Sequence, residues 1–311
     1  MKAKNKLIAV LLLAVSVFSL SSFSAAAVEP RANEVSAPEG RAVVGQFNRY
    51  ELAVSKVYNK NTDAYERVKL IRANKELPVS ALMINGTPYV DVESYFSVLS
   101  DMRVTYYGKE KKLNVIGAGF EMDVIDGGNV IYANGRCLFS MTPSALMSDG
   151  RMYAPLNSIA KSVGMSYSYS GGRAYLYGEV KPILYASRFY REDEVYCLSR
   201  IISAESRGES LLGQIAVGSV VMNRVKSSLY PNTIWSVIFD KKYGVQFSPI
   251  LDGSIYGEPV AASVIAAKIT LEGFRVNSDA LFFLYPKYST SSWIPNNRQY
   301  LFSIGKHDFY A

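Results

Sequence analysis

This sequence predicts an α+β chain in two parts: a small α+β region built from two repeats, then a mainly helical region that closes on a short β segment. Three observations carry that reading. A turn–strand–helix–strand pattern occurs twice between residues 66 and 180, and apolar residues recur at helical spacing from Val195 onward. The tail from Leu281 to Tyr310 is aromatic and strand-like.

In chain order, Lys2, Lys4 and Lys6 precede an apolar run, Leu7 to Leu20, too short and too Ser-rich at its end to span a bilayer. Ala25-Ala26-Ala27 then offers a small-residue cleavage site, so residues 1–27 read as an export signal. No later segment reads as a transmembrane helix. Residues 28–65 read as a linker, rich in Pro, Ala and Glu up to Gly40 and without an assignable pattern after it. The 311 residues exceed one ordinary core, so two domains are expected, at 66–180 and 185–311. A chain beginning near Tyr185 is expected to fold by itself.

The sequence holds 34 basic and 27 acidic side chains, a net +7; without the three leader lysines the balance is 31 against 27, or +4. That mild excess suits an anionic polymer surface, but the basic residues are scattered rather than striped, so no nucleic-acid partner is expected. Cys137 and Cys197 are the two cysteines. They read as apolar thiols rather than a disulfide framework; a bond between them would tie the two regions together.

Within the first region, Val68 to Ile71 and Ala81 to Ile84 read as strands, the second closing into the tight-turn dipeptide Asn85-Gly86. The stretch Asn85 to Val92 is echoed by Asp149 to Leu156. Each copy leads into a short helix, Ser94 to Ser100 and Asn157 to Val163, then a strand, Met102 to Tyr106 and Met165 to Tyr169. Neither unit hides its apolar face alone, so the two should pack together. Tyr167, Tyr169, Tyr175 and Tyr177 alternate at strand spacing, which reads as one aromatic-covered sheet face; a carbohydrate-stacking surface is the other reading. These residues resemble the stalk-type repeat known as the copper amine oxidase N-terminal domain. With no histidine or paired ligands there, neither copper nor any other cofactor is expected. A wall or spore-coat protein partner for this region is the expectation that goes with the resemblance.

In the second region, Val195, Leu198 and Ile202 form one helical stripe, with Asp193 as the expected cap and Gly208 as the break. A second helix, Leu211 to Val225, carries Gly213, Ala216, Gly218 and Ser219, small enough for another helix to approach closely. Thr233 should cap a short helix through Phe239, and a third long helix should run from Pro259 to Glu272 and stop at Gly273. Tyr243 to Asp252 reads as irregular or hairpin structure.

One histidine, His307, rules out zinc sites built on two or three. No Gly-x-Ser-x-Gly elbow and no phosphate loop is present. Carboxylates remain. Glu205 falls three residues past Ile202, at the edge of the apolar stripe, where low dielectric disfavours its charged form. Two readings stand from the pattern alone: a general acid near neutral pH, or a helix-end charge that reaches solvent. Among the other candidates, Asp240 and Glu258 show no such pattern, and Glu209 is explained by the start of the second helix. Asp252, before Gly253, reads as a turn residue, and Glu272 ends a helix and reads as a surface charge.

The blocks Ala204-Glu205-Ser206-Arg207-Gly208-Glu209, Val221-Met222-Asn223-Arg224, Gln246-Phe247-Ser248-Pro249, Leu281 to Pro286 and Ile304 to Tyr310 resemble, in order, the SleB-type cell wall hydrolases. The resemblance implies a lysozyme-like helical domain that cleaves the glycan strands of peptidoglycan, in spore cortex or in vegetative wall, with Glu205 as the acid and a lytic transglycosylase outcome. It also implies Gln246 and Ser248 as groove polar groups, Phe247 and Tyr285 as aromatic walls, and Asn223 on the inner face of the second helix. His307 carries either a substrate role or a packed structural one. A non-catalytic wall-binding or coat scaffold is the opposing reading, against which the intact Glu205 and Gln246-Phe247-Ser248 stand.

Overall fold

The computed structural model describes residues 62–242, 244–289 and 292–311. The leader at 1–27 and most of the linker lie outside the described residues. The chain is α+β: a strand-rich part is followed by a helical part that closes on a small sheet.

The strand-rich part begins with β1 (Glu66–Arg67), β2 (Lys69–Arg72), β3 (Lys75–Glu76), β4 (Ala81–Ile84), β5 (Thr87–Asp91) and helix α1 (Val92–Leu99). Next come β6 (Arg103–Tyr107), β7 (Lys112–Gly117), β8 (Phe120–Ile125), β9 (Val130–Ala133) and β10 (Arg136–Phe139). The part ends with β11 (Leu146–Ser148), β12 (Arg151–Pro155), helix α2 (Leu156–Ser162), β13 (Ser166–Ser170) and β14 (Arg173–Tyr177). Three sheets result, ordered β1-β4-β5-β12-β11, β10-β9-β8-β7-β6 and β13-β14-β2-β3.

The repeat predicts how the first sheet is joined. Strands β5 and β12 are equivalent in the two copies, and they pair antiparallel with Val90 opposite Ala154, which are themselves equivalent positions. Tyr89 then faces Pro155 and Tyr153 faces Asp91, so a local two-fold relates the copies about the Val90–Ala154 pair. Both turns need two consecutive left-handed residues, and both supply them: Asn85-Gly86 at φ 50° and 76°, Asp149-Gly150 at 49° and 73°.

Two expectations for this part fail. Strands β8 to β10 are absent from the sequence reading, although Asn134-Gly135 between β9 and β10 carries the same turn signal, at φ 50° and 74°. The four tyrosines do not share a face either. Tyr167 opposes Leu176 and Tyr169 opposes Ala174, whereas Tyr175 and Tyr177 oppose Ser168 and Ser166. Cross-strand partners share a face, so the tyrosines divide two and two.

The helical part runs α3 (Ala186–Phe189), α4 (Glu192–Ser206), α5 (Leu211–Lys226), α6 (Ile234–Ile238), α7 (Pro249–Asp252), a 3-10 turn (Ser254–Tyr256) and α8 (Ala261–Leu271). Strand β15 (Phe282–Leu284), helix α9 (Trp293–Asn297), β16 (Tyr300–Ile304) and β17 (His307–Tyr310) follow, with sheet order β15-β17-β16. Arg191, not Asp193, is the N-cap residue of α4. Asp193 lies in the first turn, where its carboxylate pairs with Arg191 at 2.8 Å and meets the positive helix end. Gly208 has no positive φ, so the helix end does not depend on a left-handed glycine there. Thr233 does cap α6, its Oγ1 accepting the Ser236 N–H at 3.1 Å.

Helices α4, α5 and α8 form the core with Leu198, Ile202, Val217, Val220, Ala266 and Ile269. Gly218 sits where they meet: a Cβ there would lie 2.8 Å from Thr270 Oγ1 and 2.9 Å from Ile202 Cδ1. Gly218→Ala is therefore expected to lower stability by about 1–3 kcal/mol through overpacking, despite its better helix propensity. Urea unfolding checks this, and an unchanged or raised midpoint contradicts it.

The helical core also draws on the strand-rich part. Val130 and Cys137 are buried in the helical cluster, and Phe139 meets Phe274 edge-on at 4.8 Å. Beside them Glu272, expected at the surface, is instead buried with its side chain 4% exposed, and receives two hydrogen bonds of 2.7 Å from Arg136, one of 2.7 Å from the Tyr190 hydroxyl, and an ion pair of 3.1 Å from Lys161. Burial alone raises the Glu272 carboxyl, but these partners together bring it below its ordinary value. Cys137 and Cys197 are both free thiols, and burial pushes Cys137 up to about 11.

Candidate active site

Helix α4 buries Leu198, Ile201, Ile202 and Ser206, which leaves Glu205 half-buried in its last turn. No hydrogen bond among the described residues reaches its carboxylate. Burial pushes the carboxyl from 4.5 up to about 7, and the charge of Asp252 adds to the rise. An unpartnered carboxyl in low dielectric keeps its proton, which at neutral pH makes it a competent acid.

Asp252 comes from α7, on a segment laid along α4. Ile255 is buried, the Val260 N–H donates to Ser203 Oγ at 3.2 Å, and Arg200 pairs with Glu258 at 3.4 Å. Asp252 itself accepts the Ser254 N–H at 2.8 Å, and the hydrogen bonds from Ser254 hold it below the usual carboxylate range. It is thus ionised while Glu205 is protonated. Sequence reading took Asp252 for a turn residue, and no local signal marks it, because the residue it acts on lies 47 positions away. Ser248 opens the same short helix, exposed and making no capping bond. Among the expected groove residues it is the one left free next to Asp252.

The other expected site residues are buried or half-buried. Asn223 is 7% exposed and spends its amide on the carbonyls of Asn277 and Ala280 at 2.8 and 2.9 Å, so it fastens the loop after α8 rather than meeting a ligand. Phe247 is 2% exposed in the helical core, 5.2 Å from the Arg224 guanidinium, and is no aromatic wall in this structure. Gln246 is half-buried: its Oε1 accepts from Arg224 at 3.5 Å and its Nε2 donates to the Gly244 carbonyl at 3.1 Å. Arg224 itself is buried, its Nε donating to the Leu281 carbonyl at 2.8 Å. Tyr285 is half-buried, with its ring 6.0 Å from that of His307. His307 is buried against Phe283 at 5.6 Å, and burial lowers it below its ordinary value, so its structural reading is the one the packing supports. Site residues read from motifs thus separate into the exposed Ser248 and the half-buried or buried Gln246, Tyr285, Asn223, Phe247 and His307. Polarity in sequence does not tell the two apart.

Between residues 70 and 177 the chain offers one cysteine and no histidine, a donor set that does not fit copper.

A carboxyl kept protonated near neutral pH at the end of a core helix is the arrangement of an acid–base enzyme. The cell wall hydrolase family matches residues 208–310, beginning just after Glu205, and the copper amine oxidase N-terminal domain matches residues 70–177. The spore cortex-lytic enzyme of Bacillus cereus is 36% identical over 120 residues, covering 39% of this chain and 45% of that protein. The cell wall hydrolase CwlJ of Oceanobacillus iheyensis is 30% identical over 104 residues, covering 32% of this chain and 72% of that protein. The catalytic domain of the germination-specific lytic transglycosylase SleB from Bacillus anthracis is 35% identical, covering 39% of this chain and 97% of that domain, with a TM-score of 0.36. This chain belongs to the cell wall hydrolase family. It spans less than half the length of the spore cortex-lytic enzyme of Bacillus cereus. No helix among the described residues is long and apolar enough to cross a membrane.

Proposed function

We propose that the chain is an exported enzyme that cleaves the glycan backbone of peptidoglycan between N-acetylmuramic acid and N-acetylglucosamine, with Glu205 as its acid. The observation that carries this is the half-buried Glu205 carboxyl, without a hydrogen bond among the described residues and raised to about 7. Residues 1–27 serve as the leader, 28–65 as the linker, 66–180 as the repeat region and 185–311 as the catalytic region. The relatives' printed names support spore cortex as the substrate and as the place of action. The repeat region is the candidate contact for a wall or coat protein.

Protonated Glu205 gives its proton to the glycosidic oxygen, and the bond to the muramic acid C1 breaks. The resulting carboxylate then takes the proton of the muramic acid C6 hydroxyl as that oxygen closes on C1. The product is a 1,6-anhydro sugar, and no water enters. Asp252 favours a second reading, in which this ionised carboxylate, whose charge reaches Glu205, activates water and gives hydrolysis instead.

Mass analysis of muropeptides separates the two. Transglycosylation yields products lighter by one water that borohydride does not reduce. A digest dominated by reducible ends establishes hydrolysis and makes Asp252 the base. Purified cortex that shows no turbidity loss rules out cleavage altogether and leaves the scaffold reading.

A further inference from the structure

The corner joining α4 to α5 follows Glu205 directly, and its outer half rests on little. Arg207 and Gly208 are exposed, and a Cβ at Gly208 would meet no atom within 4 Å. Glu209 anchors it instead. Its side chain is 8% exposed and turned toward the β16–β17 turn, where Oε2 accepts the Lys306 N–H at 3.2 Å and Oε1 lies 4.0 Å from His307 Nδ1. Gly305, at φ 57°, leaves the room this needs: a Cβ there would overlap Glu209 Oε2. The Glu209 carbonyl accepts from Gln214 Nε2 at 3.1 Å, and Gln214 Oε1 accepts the Ser263 hydroxyl at 2.7 Å, which carries the anchor through to α8. In the closing Ile304-Gly305-Lys306-His307 block, Ile304 and His307 pack inward, and Gly305 and Lys306 form the turn that meets Glu209. A stabilising charge at the start of α5 does not account for a carboxylate that turns away to a distant hairpin.

We infer that Glu209 and the Gly305–Lys306 turn form a latch that positions Glu205, by fixing the corner that ends its helix. The inference rests on the reading of Glu205 as the acid. Asp252 from α7 adds its charge on the Glu205 side, and on the Glu209 side His307 lies 4.0 Å from Oε1, with Lys306 and Asp308 acting in turn on His307. Without the latch the last turn of α4 frays and water reaches Glu205, so its proton is held less tightly and its oxygen loses its aim.

The test uses the full chain on purified cortex peptidoglycan. Glu209→Asp keeps the charge but falls short of the hairpin, and Glu209→Ala removes the anchor. Each is expected to lower kcat by about 10–100-fold, the scale of a small misplacement of a catalytic group, with little change in KM. Each should also move the alkaline limb of the kcat/KM profile to lower pH. Glu209→Gln retains an oxygen for the Lys306 N–H and should recover kcat to within about fivefold of the native value. Hydrogen exchange reads the latch without activity: the amides of Arg207 and Glu209, bonded to Ser203 O and Ser206 O, should exchange faster in Glu209→Asp while mid-helix α4 stays protected. Faster exchange with native kcat and an unmoved limb overturns the positioning role. Unchanged exchange overturns the latch itself. An active Glu205→Gln measured alongside overturns the acid reading, and the positioning role with it, whatever the exchange data show.

Discussion

Glu205→Gln is expected to lose peptidoglycan cleavage by about 10²–10⁴-fold, the usual contribution of a general acid, while gaining stability at alkaline pH. The two effects have one cause. Folding raises the carboxyl from 4.5 to about 7, so the folded state binds this proton more tightly than the unfolded chain does. Below about pH 4.5 both states are protonated and the residue costs nothing. As pH rises from there to 7 the unfolded chain ionises first and stability falls; above 7 the full cost is present. At about 1.4 kcal/mol for each tenfold change in proton affinity, that cost is on the order of 3 kcal/mol. Glutamine carries no charge at any of these pH values and escapes it. Urea unfolding of the two proteins should therefore agree near pH 4.5 and diverge toward pH 8, with the variant the more stable. A variant that still cleaves, or a stability gap that does not widen with pH, removes Glu205 from the acid role.

What the sequence shows well is what repeats or alternates locally. Asn85-Gly86 and Asp149-Gly150 mark two turns whose symmetry carries through to the pairing of Val90 with Ala154. The small residues of α5 announce the close approach realised at Gly218. Glu205 is legible for the same reason, since helical spacing alone puts it at the border of a buried stripe. Asn223, Phe247 and His307 lie in stretches where residue type suggests a ligand, yet their side chains turn inward. Direction there is set by partners such as the Asn277 carbonyl, 54 positions away, to which no local pattern points. Asp252 and Glu209 are the opposite case, and the turn reading of Asp252 stands, because it accepts the Ser254 N–H ahead of left-handed Gly253. Each has an adequate local explanation, as a turn residue or a helix-start charge, that conceals its long-range partner.

The Glu272 cluster leads to the other large effect. Glu272→Ala is expected to lower stability by about 3–5 kcal/mol, the range for breaking a buried ion pair by removing one partner, because Arg136, with its side chain 8% exposed, keeps its charge and loses both of its 2.7 Å bonds. The loss depends on pH in a defined direction. The Glu272 carboxyl lies below its ordinary value, so its contribution is present above about pH 4.5 and disappears as pH falls through the folded-state value. Native and variant chains should converge near pH 3. A chain beginning at Tyr185 should keep the α4–α5–α8 core but lose the cover of Val130, Cys137 and Phe139 as well as Arg136 and Lys161. At about 1.5–3 kcal/mol for each fully buried apolar side chain, this takes a large share of the 5–15 kcal/mol typical of a folded domain. The fragment should therefore unfold at a clearly lower urea concentration than the helical region does within the full chain, and Glu272→Ala in the full chain should split one cooperative transition into two. A fragment as stable as the intact chain, or an unsplit transition at the native midpoint in the variant, would show that the strand-rich part contributes nothing to holding the acid in place.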